Sequence, residues 1–498
     1  MKKNIALNQK NLDSLDPSIE IPNYDRAKVK TRIAHIGVGN FHRSHQAYLT
    51  HELMQQHGDL NSGICGIGLM NFDRKISDVM KAQDSLYSLV IKEHDGSRKV
   101  KVIGSIVEFL FAPENPDAVI AKLADPEIQV ISLTITEGGY NLDETTHEFN
   151  FENPWIQQEI ADPNSPITVF GYLNKALQVR KDTGAGGVTI QSCDNIQGNG
   201  KITKKSLLSF IGRVNPDLLD WISENVSFPN AMVDRITPIT TLQDIQQLKD
   251  DFLVDDQWPV VCEPFIQWVI EDDFINGRPS WEKVGVQFVN DVLPFENMKL
   301  QLLNAGHSLM GVLGALHGFE TIDQVVRDND FKEIFKNYMD LEVTPCLEKL
   351  DGFDLTAYKN SLLTRFQNEY IKDSVARICS HSSVKFPKFI LPTLRNQLSN
   401  SQDIEIISFL IAAWAKYNLG IDEKGTSYEI KDVILEEELK IAAKESLEDP
   451  LKFIQLNAIF GDLYVNEVFS NRYLYYTDLL KEQSVRACIK QINARIKT

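Results

Sequence analysis

The stretch Thr31–Leu53, TRIAHIGVGNFHRSHQAYLTHEL, decides the fold. It reads as an apolar strand, a tight glycine turn and a helix. Gly37 permits the turn, and Gly39 lets a backbone approach a pyrophosphate held at the start of the helix. His42 stands where the Gly-x-Gly-x-x-Gly fingerprint has its third glycine, so the fingerprint is incomplete. A nucleotide-binding turn and a plain structural turn both satisfy this pattern.

Outward from that stretch, residues 31 to about 290 alternate β-type runs with helical ones. Arg32–Gly37, Ile64–Leu69, Val130–Thr136, Val188–Ser192 and Val260–Cys262 are the predicted strands. Several are continuously apolar, as parallel strands covered on both faces must be. Helical stretches after Gly39 and over Pro116–Leu123 complete a βαβ rhythm. Beyond Leu293-Pro294 the character changes to helices over Phe295–His317, Asp323–Met339, Leu355–Gln367, Ile404–Lys416 and Ile430–Glu445. The predicted class is α/β: a Rossmann-type dinucleotide-binding domain over residues 1–290, then a mainly α-helical substrate and catalytic domain over 291–498. An active site is expected in the cleft between them.

Composition narrows the function. The chain has 498 residues and a formal net charge of −18, and such a chain lacks the positive field that holds a nucleic-acid backbone. Six cysteines lie far apart with no Cys-x-x-Cys, which fits reduced thiols. The opening MKKNIALNQKNLDSLD has no apolar run of signal-peptide length. The longest nearly apolar run, Ile406–Ala415, falls well short of the ~20 residues that cross a bilayer. These features predict a cytoplasmic protein with neither membrane nor nucleic-acid partner.

The chemical signal lies in FENMKLQLLNAGHSLMGVLGALHG. Lys299, Asn304 and His307 stand at i, i+5 and i+8, which on a regular helix span an arc of about 140°. A desolvated lysine loses pKa and becomes a base near neutral pH. A surface lysine and a satisfied core histidine fit the same spacing. Asn195 in SCDNIQGNG is placed to donate an amide to a substrate oxygen, or simply makes a turn. Asp234 in AMVDRITP accepts from hydroxyls, or pairs with Arg235. Arg377 and Lys385 in RICSHSSVKFPKF form a pair of cations suited to polyol, carboxylate or phosphate, or belong to a surface loop. Asp73, 34 residues beyond Gly39, is the acid available for an adenosine ribose, while Arg74 beside it suits a 2′-phosphate. His42 and His45 lack a third ligand nearby, so no metal site is predicted.

Taken in order, IAHIGVGNFHRSHQAY, SLTITEGGY, SCDNIQGNG, FPNAMVDRITP, VVCEPFIQWVIEDDFINGRPSWEKVGVQF, KLQLLNAGH and KFPKF resemble the polyol-specific long-chain dehydrogenase/reductase family, the mannitol dehydrogenases. The resemblance implies a monomer that interconverts D-mannitol and D-fructose with NAD(H) by metal-independent hydride transfer at C2. By it, Lys299 is the general acid/base, Asn195 and Asn304 hold the alkoxide, and Glu296 governs proton exchange of the base with solvent. Asp234, His307, Arg377 and Lys385 position the small polyol or ketose substrate. Gly37, Val38, Gly39, Asn40 and Phe41 form the cofactor turn, and Asp73 takes the ribose. Family alternatives are a fructuronate or tagaturonate reductase and arabinitol 4-dehydrogenase. A catalytically inactive nucleotide-sensing protein is the non-enzyme alternative.

Overall fold

A computed structural model describes residues 4–143, 146–350, 352–432 and 434–497. The chain forms two compact units, Met1–Leu293 and Pro294–Thr498.

The first unit is built on a six-stranded sheet of β1 (Thr31–Ile36), β2 (Gly63–Gly68), β3 (Ile106–Phe111), β4 (Val130–Leu133), β5 (Val188–Ser192) and β6 (Val226–Ser227). Every neighbouring pair is parallel, and the spatial order is 3-2-1-4-5-6. That is the doubly wound order, whose direction reverses between β1 and β4 and leaves a crevice beyond the strand ends there. The two-residue period of a strand explains how both faces are covered. Ala34, Ile36, Cys65 and Ile67 pack with helices α3 (Pro116–Ala124), α4 (Val169–Thr183) and α5 (Asn199–Val214). Their neighbours Ile33 and Ile64 pack on the other side with Leu49, Leu53, Trp268 and Trp281. Such strands have no solvated face, hence their continuous apolar runs.

Three features depart from the sequence reading. Val260–Cys262 is a strand, but it pairs with Tyr87–Lys92 in a separate three-stranded sheet. β3 was not predicted, since Glu108 interrupts its apolar run; that carboxylate is paired with Lys122 at 2.7 Å. The helix after Gly39 is two pieces, α1 (Asn40–Ser44) and α2 (Gln46–His57), broken at His45.

The second unit is helical. Its first helix, α6 (Leu293–Lys299), passes through a π turn over Leu300–Asn304 into α7 (Ala305–His317). α7 is buried nearly all round and packs against α8 (Val375–Cys379) and α9 (Glu405–Tyr417). Gly311 lets α8 approach, since a Cβ there would lie 2.8 Å from Ile378 and 3.0 Å from the Cys379 sulfur, and Gly306 likewise makes room for the Phe335 ring. The helix predicted over Ile430–Glu445 begins only at Glu436; Val433 falls outside the described residues.

Candidate functional site

In the first unit the turn at Gly37 sits at the β1/β4 reversal. Gly37 has φ +93°, and a Cβ there would meet the Thr134 carbonyl oxygen at 2.1 Å. Both conformation and space demand glycine. Gly39 differs: it is exposed, and a Cβ would meet only the Gly37 carbonyl oxygen at 4.0 Å. A bare backbone open to solvent at the switch point is what close approach of a pyrophosphate requires, so these residues fit a dinucleotide.

The structure also accounts for the missing third glycine. His42 lies flat on His35, ring centroids 3.3 Å apart and 11° between planes. Stacked imidazoles supply here the close helix–strand packing that a glycine usually allows. His35 is fixed by Ser132 Oγ at 2.8 Å and Thr134 Oγ1 at 2.9 Å. Burial holds both histidines neutral, lowering His35 to about 3 and His42 well below its ordinary value.

Val38 is buried and packs against Gly66, while Phe41 is half-buried and stacked on His45. Asn40 accepts from Arg43 Nη2 at 2.7 Å. Arg43, which sequence reasoning missed, is fully buried; its Nε donates to the Gly39 carbonyl and its Nη1 to the Trp258 carbonyl. An arginine just after a glycine turn reads as solvated, and nothing nearby in sequence marks its distant partner.

Asp73 stands just past the end of β2, where its Oδ2 accepts from the Met70 N–H at 2.9 Å. Burial raises its carboxyl above the ordinary range, against the backbone hydrogen bonds that lower it. Arg74 is turned to other work, in an ion pair with Glu114 and over the Phe111 ring at 4.6 Å.

Asn195 is exposed in the loop after β5. Asp194 beside it, also missed, organises that loop. Its carboxylate accepts from Ile135 N at 2.9 Å, Thr136 N at 3.0 Å and the Tyr140 hydroxyl at 2.7 Å. These bonds hold Thr136 in the left-handed region, φ +62°, at the end of β4. They also join SLTITEGGY to SCDNIQGNG. Asn199 links the same loop to the strand Ala231–Asp234 through Ala231, at 2.7 and 2.9 Å. Asp234 is buried at the end of that strand, opposite Gln267. Arg235 is engaged by the Glu263 and Ser44 carbonyls.

In the second unit, Glu296, Lys299 and His307 are buried and Asn304 is half-buried. The π turn changes their geometry. Ala305 N–H reaches back to the Leu300 carbonyl, five residues earlier, which inserts one residue into the helical ladder. Everything beyond is set back by about 100°, so the arc shared by Lys299, Asn304 and His307 shrinks from about 140° to about 60°. The three side chains thus line one narrow face. Asn304 Oδ1 is buried there without a hydrogen-bond partner among the described residues.

His307 stacks on Phe366 at 3.9 Å with 8° between planes, and its Nε2 faces Asp373 Oδ2 at 3.9 Å. Arg377 Nε and Nη2 both donate to the other oxygen of that carboxylate. Lys385 donates to the Ile378 carbonyl at 2.8 Å. Burial lowers its ammonium below the ordinary value; Cys379 opposes this and Arg377 adds to it. His307, Arg377 and Lys385 therefore gather around one short segment.

Among the described residues, Glu20, His51 and Glu52 form the one group of three able to hold a metal ion. Lys101 already lies against both carboxylates, at 3.1 and 2.7 Å. No described helix is long and apolar enough to cross a membrane.

The mannitol dehydrogenase Rossmann-domain model matches residues 31–283, and the mannitol dehydrogenase C-terminal-domain model matches 291–480. The chain belongs to the mannitol dehydrogenase family. Among its relatives, the mannitol 2-dehydrogenase of Pyricularia oryzae is 43% identical over 452 residues, 90% of each chain. That of Neosartorya fischeri is 44% identical over 468 residues, covering 92% of this chain and 93% of the relative. A solved Pseudomonas fluorescens mannitol 2-dehydrogenase, in ternary complex with NAD and D-mannitol, is 44% identical with TM-score 0.84, covering 98% of this chain and 99% of its own. A D-sorbitol dehydrogenase in substrate-free form is 36% identical with TM-score 0.92, covering 97% and 100%. As a member of the mannitol dehydrogenase family, the chain is an NAD-dependent polyol dehydrogenase.

Proposed function

We propose that this dehydrogenase interconverts D-mannitol and D-fructose, with Lys299 as general acid/base. The observation that carries the reading is the π turn, which sets the buried Lys299 on one face with an amide whose oxygen has no partner among the described residues. Relatives named for mannitol favour this substrate over other polyols.

The Gly37–Phe41 turn would hold NAD, with Asp73 as the acid for its ribose, and the bound cofactor would supply the hydride acceptor. Lys299 Nζ takes the proton from the C2 hydroxyl as the C2–H bond breaks. Asn195 and Asn304 hold the oxygen as its charge develops, an electrostatic role that works best away from water. Asp234, His307, Arg377 and Lys385 bind the remaining hydroxyls and supply orientation. Glu296, one turn before Lys299, exchanges the base's proton with solvent. In this scheme lysine and two amides carry the charge without a metal ion. In the reductive direction Lys299 must start protonated, so ketose reduction has the lower pH optimum.

The test is NADH absorbance over time with D-fructose, D-fructuronate, D-tagaturonate and D-xylulose, before and after chelator treatment. Fast, chelator-resistant oxidation with fructose is the expected result. Activity confined to a uronate would move the enzyme to the hexuronate reductases. Loss of activity on chelation would overturn the metal-independent scheme.

A further inference from the structure

Asp373 belongs to none of the roles above, yet it joins two of them. Its side chain is 10% exposed, and its two oxygens face different elements. Oδ1 takes both Nε and Nη2 of Arg377, one helical turn ahead on α8. Oδ2 has no hydrogen-bond partner among the described residues and faces His307 Nε2 on α7 at 3.9 Å. The Phe366 stack already fixes the plane of the His307 ring, and Phe366 itself lies parallel to Phe335 at 5.3 Å. The carboxylate oxygen lies 3.9 Å from Nε2 of that ring, beyond hydrogen-bond reach, as a negative charge beside its edge.

The charge arrangement has a consequence for the ligand. Arg377 is 64% exposed at its side chain, and an isolated guanidinium in such a place is a bidentate receptor for a carboxylate. Here its fork is spent on Asp373. Nη1 keeps its N–H groups without a partner among the described residues, so the guanidinium still donates to a neutral hydroxyl. A substrate carboxylate would meet a cation already countered, and beside it a buried carboxylate whose charge repels a negative group and leaves a neutral hydroxyl unopposed.

We propose that Asp373 is a specificity-determining residue: it countercharges Arg377 and sets a negative charge beside His307, so that the site takes a neutral polyol or ketose and discriminates against a substrate with a carboxylate in place of a terminal CH2OH. This rests on the reading that His307 and Arg377 face substrate.

Asp373→Asn removes the charge and keeps an acceptor. The measurement is kcat/KM for NADH-dependent reduction of D-fructuronate divided by that for D-fructose, in wild type and variants. We expect this ratio to rise by about tenfold or more, through a higher fructose KM and a lower uronate KM, with NADH affinity unchanged. Asp373→Glu, which keeps the charge, should hold the ratio within about threefold of wild type, by the same principle. In an Arg377→Ala background the Asp373→Asn gain should vanish, because no guanidinium remains to be released. A merely structural role would lower both substrates together and leave the ratio unchanged, which would overturn the proposal, as would an equal gain without Arg377. Failure of the functional reading shows separately, as a wild-type enzyme that prefers the uronate.

Discussion

The turn at Gly37–Phe41 offers a ligand its backbone, whereas the helix from Leu293 to His317 offers side chains. In the first, φ +93° at Gly37 and open space over Gly39 prepare a surface for a ligand without committing a side chain to it. In the second, a π turn swings Lys299, Asn304 and His307 onto one face, and the proposed chemistry is assigned to them. A site made of backbone must be protected from side chains; a site made of side chains must be protected from helical regularity. The two kinds should therefore fail in different ways when altered.

The largest expected effect falls on the side-chain site. Lys299→Ala should lower kcat for mannitol oxidation by roughly 10²–10⁴-fold, the range for losing a positioned acid/base, while NADH titration stays as in wild type. Retained turnover would remove lysine from the mechanism. Loss of NADH binding as well would show that the two sites do not fail independently.

On the backbone site the two glycines should separate. Gly37→Ala puts a methyl 2.1 Å from the Thr134 carbonyl oxygen in a left-handed conformation, and should cost about 3 kcal/mol in urea unfolding. Gly39→Ala has room and should unfold within about 1 kcal/mol of wild type while losing NADH affinity. Equal destabilisation by both would break the distinction between a glycine the fold needs and one the ligand needs.

These contrasts explain what was legible in the sequence. The strand–turn–helix was readable because Gly37 and Gly39 mark a backbone requirement directly, and the helical second half was readable from its change of periodicity. The two halves of the helix after Gly39 were not, because the break at His45 has no proline or glycine to announce it. Lys299, Asn304 and His307 were picked out by their chemistry, although a regular helix spreads them over about 140°. The π turn that narrows this arc has only leucines and a glutamine before Asn304. Asp194 and Arg43 went unread because each has partners distant in sequence, Ile135, Thr136 and Tyr140 for one and Trp258 for the other. Asp373 instead pairs with Arg377 only four residues on and reads as an ordinary surface ion pair until His307 is seen beside it.

Acid should weaken the fold through three buried histidines, of which His35 and His42 are stacked beside the backbone site. Burial lowers His35 and His51 to about 3 and His42 well below its ordinary value. With folded pKa values below the unfolded one, protonation favours the unfolded chain. Stability is therefore complete above about pH 6.5 and lost as pH falls from there toward about 3. Each of these histidines contributes a slope of up to about 1.4 kcal/mol per pH unit within that window. Urea midpoints at pH 7, 6 and 5 measure the sum. A His35→Asn variant should flatten the curve, and a midpoint that rose on acidification would contradict the burial argument.

The smallest effect is expected at Arg74, and its smallness is informative. A guanidinium next to the ribose acid would read the 2′-phosphate of NADP, but this one is paired with Glu114 and laid over Phe111. Such a half-exposed pair is worth under about 1 kcal/mol. Arg74→Ala should accordingly leave stability nearly unchanged and alter the NADH-to-NADPH preference by less than about threefold, because the arginine already has its partner. Asp73, which crowds Gly68 with its Cβ and accepts from the Met70 N–H, would then carry the discrimination by repelling a phosphate at the end of β2. A tenfold fall in NADPH turnover on losing Arg74 would mean that the arginine leaves Glu114 when cofactor binds. In that case the surface beside the glycine turn would be read by side chains too, and the contrast between the two sites would narrow to the five residues of the turn itself.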